Sequence, residues 1–168
     1  MPRHVMLDIE VVGVLASIGA CEFNQAGDFT TFHRIIDQTS VLMSGVKVNR
    51  STIKFWQSQP KEAIAPLLTT SGKVSLETAL NDFKHFVAGN MFLWAKGPDY
   101  DCVELIKYYE ALDMKVPWLF RNTRDVRTVM ALAGVKAFEP EHKHDALSDA
   151  IAQAKTVMAA YEKLGLQL

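Results

Sequence analysis

Apolar positions follow two rhythms along this 168-residue chain. Early on they form short runs rich in branched and aromatic side chains, at residues 4–10, 14–23 and 29–36, the last two separated by Asn24-Gln25-Ala26-Gly27-Asp28. Runs of that length bounded by turn formers predict a three-stranded meander. From Ser51 the spacing lengthens. Ser51-Thr52-Ile53-Lys54-Phe55-Trp56 opens a short helix that Pro60 stops, because proline disfavours helix in the residue before it. Ser75 starts a second helix, whose Leu76, Leu80, Phe83 and Val87 keep one apolar face as far as Gly89-Asn90. Residues 91–95 read as a fourth strand, and Gly97-Pro98 turns the chain into a helix over 99–112. Residues 116–120 read as a short fifth strand, and helices cover 123–133 and 145–164. Strands first, then helices alternating with strands, predict an α/β fold with a mixed five-stranded sheet flanked by helices.

Composition narrows the classes. With 49% apolar and 22% charged residues, nine Gly and six Pro, the chain is neither disordered nor fibrous. Eighteen Lys and Arg against 19 Asp and Glu leave a net charge of −1, which excludes the polybasic coat of proteins that grip nucleic acid by charge alone. Cys21 and Cys102 lie in apolar contexts without CxxC spacing, so they read as reduced, buried thiols of a cytoplasmic protein. The first eight residues lack the features of a signal peptide, and no apolar run is long enough for a membrane span.

Three groups of polar residues sit where packing alone would not place them. Asp8 and Glu10 are two apart in the first strand, so they share a face while Leu7 and Ile9 point the other way. Either this is an edge strand with a solvated face, or a divalent cation turns their repulsion into coordination. Asp101 follows the fourth strand, where open α/β sheets place their chemistry, although a helix start also favours an acid for capping. In a parallel arrangement Asp101 faces Asp8. The third group is His142-Lys143-His144-Asp145-Ala146-Leu147-Ser148-Asp149. His144 and Asp149 would not share the face of a continuous helix, but a His144 in the loop before the helix can swing its ring over Asp149. Four acids and a histidine match two-metal phosphodiester hydrolysis, in which carboxylates hold two ions about 3.5–4 Å apart and a histidine takes the proton of the attacking water.

Asp8-Ile9-Glu10, Asp101 and His144-Asp-Ala-Leu-Ser-Asp149 resemble the three motifs of the DEDDh 3′→5′ exonucleases. The sequence is most similar to the group of phage exonuclease A and the mycobacterial-type 3′→5′ exoribonucleases. The further marks of that group appear here as Ser17-Ile18-Gly19-Ala20, Trp56-x-x-Gln59, Trp94-x-x-Gly97-Pro98-x-Tyr100-Asp101, Pro117-Trp118 and Arg124-Asp125-x-Arg127-Thr128. The resemblance implies a ribonuclease H-like fold, with residues 1–168 as one exonuclease domain. It implies two Mg²⁺ or Mn²⁺ ions and a single-stranded or 3′-overhang nucleic acid, DNA or RNA, that releases nucleoside 5′-monophosphates. A homodimer is allowed, and no membrane is implied.

By the same resemblance Asp8 bridges both ions, Glu10 and Asp149 complete the first site, Asp101 holds the second, and His144 activates the water. Asp99 is the rival of Asp101 and suits a helix cap; His142 is the rival of His144. Trp56 and Gln59 belong to the implied substrate contacts, with Trp56 either stacking on a base or packing beside Phe55. Arg124 and Arg127 either grip phosphates or, for Arg124 with Asp125, form a structural ion pair. Trp94 and Trp118 read as core. The family's usual Thr after the motif-one Glu is Val11 here, which removes a hydroxyl near the 3′ end, and Lys96 stands where small or polar residues are commoner, reaching a phosphate or simply solvated. Restriction to short or structured RNA ends is one alternative, and a catalytically silent module of the same fold is another. Loading the acids with two divalent ions takes the net charge from −1 to +3, so near-neutrality leaves room for a nucleic acid held locally.

Overall fold

In the computed structural model, which describes residues 2–69 and 71–168, two ten-residue strands, β1 (Arg3–Val12) and β2 (Val14–Phe23), fold back on each other through Gly13. The turn needs the positive φ of 75° at Gly13, which glycine adopts without a side-chain clash. β3 (Phe29–Ile35) completes the meander, and β4 (Met91–Ala95) and β5 (Thr123–Asp125) add to the other side of β1 in parallel. The order is β3-β2-β1-β4-β5, so the strand carrying Asp8 and Glu10 is central rather than an edge. The fold is the mixed, helix-flanked, ribonuclease H-like sheet expected above.

Among the described residues seven α-helices surround it: α1 (Gln38–Met43), α2 (Arg50–Gln57), α3 (Lys61–Leu68), α4 (Leu76–Phe86), α5 (Pro98–Ala111), α6 (Val126–Ala133) and α7 (Ala146–Leu164). Strand alternation divides the core into two layers. Val5, Leu7, Ile9 and Val11 pack with Leu80 and Phe83 of α4 and Leu105 and Tyr109 of α5. Met6, Cys21 and Trp94 face Val126 and Val129 of α6 and Ala150, Ala154 and Val157 of α7. Cys21 and Cys102 are both buried free thiols. No helix among the described residues is long and apolar enough to cross a membrane.

The small residues of α7 let it lie close on β2. Gly19 is the tightest point: a Cβ there would sit 2.2 Å from the carbonyl carbon of Ala146. The Gly19 of the Ser-Ile-Gly-Ala mark is therefore a close approach between sheet and helix, and it sets the start of α7.

The structure departs from the sequence expectations at several places. The fifth strand is Thr123–Asp125, not residues 116–120. Pro117 has no ladder donor, and Trp118 is drawn into the core, its ring 5.9 Å from Tyr109 and 6.3 Å from Phe83. The helix expected over 123–133 accordingly starts at Val126, capped by Asp125. α1 and α3 were not anticipated, and α2 begins at Arg50 with Asn49 as its cap. α1 is only six residues long, too short to show a helical period, and its cap Asp37 reads as a turn residue.

Replacing Gly19 with Ala should cost about 1–3 kcal/mol through overpacking. A urea titration should show a lower midpoint with an unchanged slope, since the same surface is exposed on unfolding.

Candidate active site

β1 brings Asp8 and Glu10 onto the face under α7, opposite Gly19 and Ser17 of β2. A bulge between Glu10 and Val11 shifts the register there, a device that re-aims side chains near sites. Asp149 stands in the first turn of α7, whose cap Asp145 accepts from the Ser148 N–H at 2.8 Å. Carboxylate oxygens of Asp8, Glu10 and Asp149 lie within 4.8 Å of one another. Asp101, in the first turn of α5, is buried beside them, held by a backbone hydrogen bond from Ile9. Because β1 and β4 are parallel, the end of β4 delivers α5 to the same edge as Asp8.

Burial and mutual repulsion dominate the electrostatics. Desolvation raises Glu10 to about 8, with Asp149 and Asp101 adding to it. Asp8 is raised well above the carboxylate range by burial, then by Asp101, Glu10 and Asp149, against one favourable hydrogen bond from Gln153. Burial also raises Asp101, opposed by backbone hydrogen bonds and by Arg127. Asp149 is raised by burial, offset by the backbone and charge of His144 and by Lys96. A crowd of hard oxygen donors at this separation, short of positive partners, fits a divalent cation.

His144 lies in the loop ahead of α7, as expected, with a left-handed φ of 63°. Its backbone N–H donates to Asp149 Oδ2 at 2.9 Å. Its ring rests edge-on against Phe55 and Trp56, at 5.4 and 5.6 Å between centroids. Asp8, Glu10, Asp149, His144 and these aromatics, together with Tyr100, line one cavity of about 300 Å³.

The remaining sequence candidates separate. Trp56 is 3% exposed and its indole donates to the Val11 carbonyl at 3.0 Å, so it is a wall of the cavity and Phe55, 45% exposed, is the open ring. Gln59, just past the end of α2, bonds back to the Phe55 carbonyl of that helix and does not line the cavity. Arg124 is spent on the carbonyls of Arg121 and Thr123, both at 2.9 Å, and lies 4.1 Å over the Phe92 ring. No ion pair to Asp125 forms, because Asp125 caps α6 through the N–H groups of Arg127 and Thr128. Arg127, by contrast, is exposed and packs over Gly97 beside Asp101. Asp99 is exposed in the first turn of α5 but does not cap it, since the cap is Gly97. His142 is exposed next to Glu141, away from the acids. Trp94 and Trp118 are buried.

Two groups escaped the sequence reading. Gln153, buried on α7, donates to Asp8 Oδ1 at 2.7 Å; its i+4 spacing from Asp149 puts both on one helix face and was the available signal. Ser17, fully buried and opposite Glu10, has a hydroxyl without a protein partner.

This sheet, with acids converging from its first strand and two helices and a histidine from the preceding loop, defines a 3′→5′ exonuclease of the DEDDh type. The sequence matches the family model described as the 3′-5′ exoribonuclease Rv2179c-like domain over residues 3–161, and the chain belongs to that family. No curated protein matches it. Among solved structures it is similar to the nuclease domain of 3′hExo, described as a DEDDh family member bound to rAMP. The two share 11% identity and a TM-score of 0.52, over 99% of this chain and 94% of that one, which shows a shared fold.

The raised carboxyls give a pH signature. Each binds its proton more tightly folded than unfolded, so in chelator the penalty is absent below about pH 4. It grows as pH rises, up to the Glu10 value of about 8. The melting temperature in EDTA should therefore fall between pH 5 and pH 8, and Mn²⁺ should raise it more at pH 8 than at pH 5. Differential scanning fluorimetry across that range tests both slopes.

Proposed function

We propose that this protein is a metal-dependent 3′→5′ exonuclease that shortens RNA from its 3′ end and releases nucleoside 5′-monophosphates. The observation that carries this reading is the convergence of Asp8, Glu10 and Asp149 within 4.8 Å, with His144 at the same cavity and Asp101 buried behind it on the Ile9 backbone. RNA is favoured over DNA by the description of the family to which the chain belongs.

Asp8, Glu10 and Asp149 would hold one Mg²⁺ or Mn²⁺, and Asp8 with Asp101 a second. Such ions supply a water nucleophile at neutral pH and stabilise charge on the phosphate and the departing 3′ oxygen. His144, its ring edge-on against Phe55 and Trp56, would take a proton from the attacking water on a ring nitrogen. Gln153 fixes the carboxylate of Asp8 through its 2.7 Å hydrogen bond. Phe55 offers a stacking face to the terminal base, sequence-tolerant because every base has a π face. Arg127 stands near Asp101 to meet a phosphate oxygen, and the start of α5 directs its dipole to the same place.

A matched panel of 5′-labelled RNA and DNA single strands, run with Mn²⁺, Mg²⁺ or EDTA, tests this. Stepwise shortening should occur on RNA with metal and stop in EDTA. Asp8→Ala and Asp101→Asn should remove turnover, and His144→Ala should lower kcat by about 10²–10⁴. Phe55→Ala should raise KM in proportion to about 1–3 kcal/mol of stacking. Intact strands with the wild-type protein, together with no metal-induced rise in melting temperature, would mark a silent module instead.

A further inference from the structure

A second cavity, of about 280 Å³, lies on the far side of His144 and Asp149 from Phe55, and those two residues form part of its wall. Lys96, Phe138, Glu139 and Lys143 line the rest. Lys96 arrives there directly after the last residue of β4, the strand that runs parallel beside the one carrying Asp8.

The chemistry of this cavity differs from that of the first. Lys143 is held by Glu139 at 3.0 Å. Half-buried Lys96 has no ion-pair partner among the described residues, and its charge acts on Asp149. Phe138 is 49% exposed, and its backbone N–H is tied to Thr156 Oγ1 of α7 at 3.0 Å, so its position is fixed by the last helix. An open aromatic face beside ammonium groups is the combination that holds single-stranded nucleic acid, bases on rings and phosphates on cations.

We propose that this cavity is the path of the strand on the 5′ side of the scissile bond, with Lys96 on the first phosphate upstream and Phe138 under the base that precedes the terminal nucleotide. The inference rests on the exonuclease reading of the neighbouring site. With the terminal nucleoside against Phe55 and the scissile phosphate at the acids, the remaining strand leaves across the wall that the two cavities share. The ligand is thus a polynucleotide backbone, not a mononucleotide.

The experiment measures binding of a 5′-fluorescein-labelled RNA decamer by anisotropy, with Ca²⁺ in place of Mg²⁺, across a salt series. Nucleoside monophosphate competition is measured in parallel. Lys96→Gln should weaken decamer binding about tenfold, the loss of one charge-assisted contact. It should also reduce the slope of log affinity against log salt by about 0.7, the value of one phosphate on a single strand. Lys96→Arg should recover most of both. Phe138→Ala should weaken the decamer several-fold without changing the slope. The exposed Lys115, remote from both cavities, serves as charge control: Lys115→Gln should leave the slope as it is. Equal losses for decamer and monophosphate would overturn the proposal, since Lys96 would then act only through Asp149, as would unchanged decamer binding in both variants. If the wild-type protein binds neither ligand, the exonuclease reading itself fails.

Discussion

Four carboxyl groups crowded against the central strand of a sheet, Glu10 and Asp101 buried and Asp8 and Asp149 half-buried, set the terms for everything around them. Unpaired charges in such a place are costly, and the protein meets them with few donors: the amide of Gln153 on Asp8, a backbone group of Ile9 on Asp101 and the His144 N–H on Asp149. The rest of the fold holds these groups in position despite their repulsion. β1 is clamped between two neighbouring strands and between two apolar layers. α7 is seated on Gly19 and on a row of alanines, which removes the freedom to splay outward. Stability and readiness to take a cation therefore oppose each other at the same residues.

The sheet, its mixed direction and the helices of the second half were legible because their runs are long and their caps and turns explicit. α7 could be read from Asp145 to Leu164 without a neighbour. Failures fell where length or tertiary pull decides. Three residues, Thr123–Asp125, carry no strand signal of their own and become β5 only by pairing beside β4. Trp118 looked like part of a strand, yet its burial between α4 and α5 pulls that segment off the sheet.

Within the site, the acids and His144 could be named from spacing together with the family resemblance, since each stands at a strand or helix end that pattern locates. The residues that serve them could not. Gln153 is one polar position in a long helix, and only the packing of α7 on β1 tells which way it points. The contrast between buried Trp56 and open Phe55 has the same origin. Adjacent aromatics on a short helix point to different sides, and which side is the core depends on where Val11 offers its carbonyl. Arg124 and Arg127 divide for a similar reason, one captured by neighbouring carbonyls and a ring, the other left over the bare backbone of Gly97.

The hydrogen bond between Gln153 and Asp8 joins positions 145 residues apart in the sequence. Contacts of that span close late, because the entropy of a long loop must be offset before they form. A chain emerging from the ribosome can build its meander and bury β1 long before α7 exists. Until that helix docks, the acids of β1 and α5 lack the neighbouring Asp149, Gln153 and His144. The order of synthesis thus leaves the acid cluster incomplete until the last helix of the chain has been made.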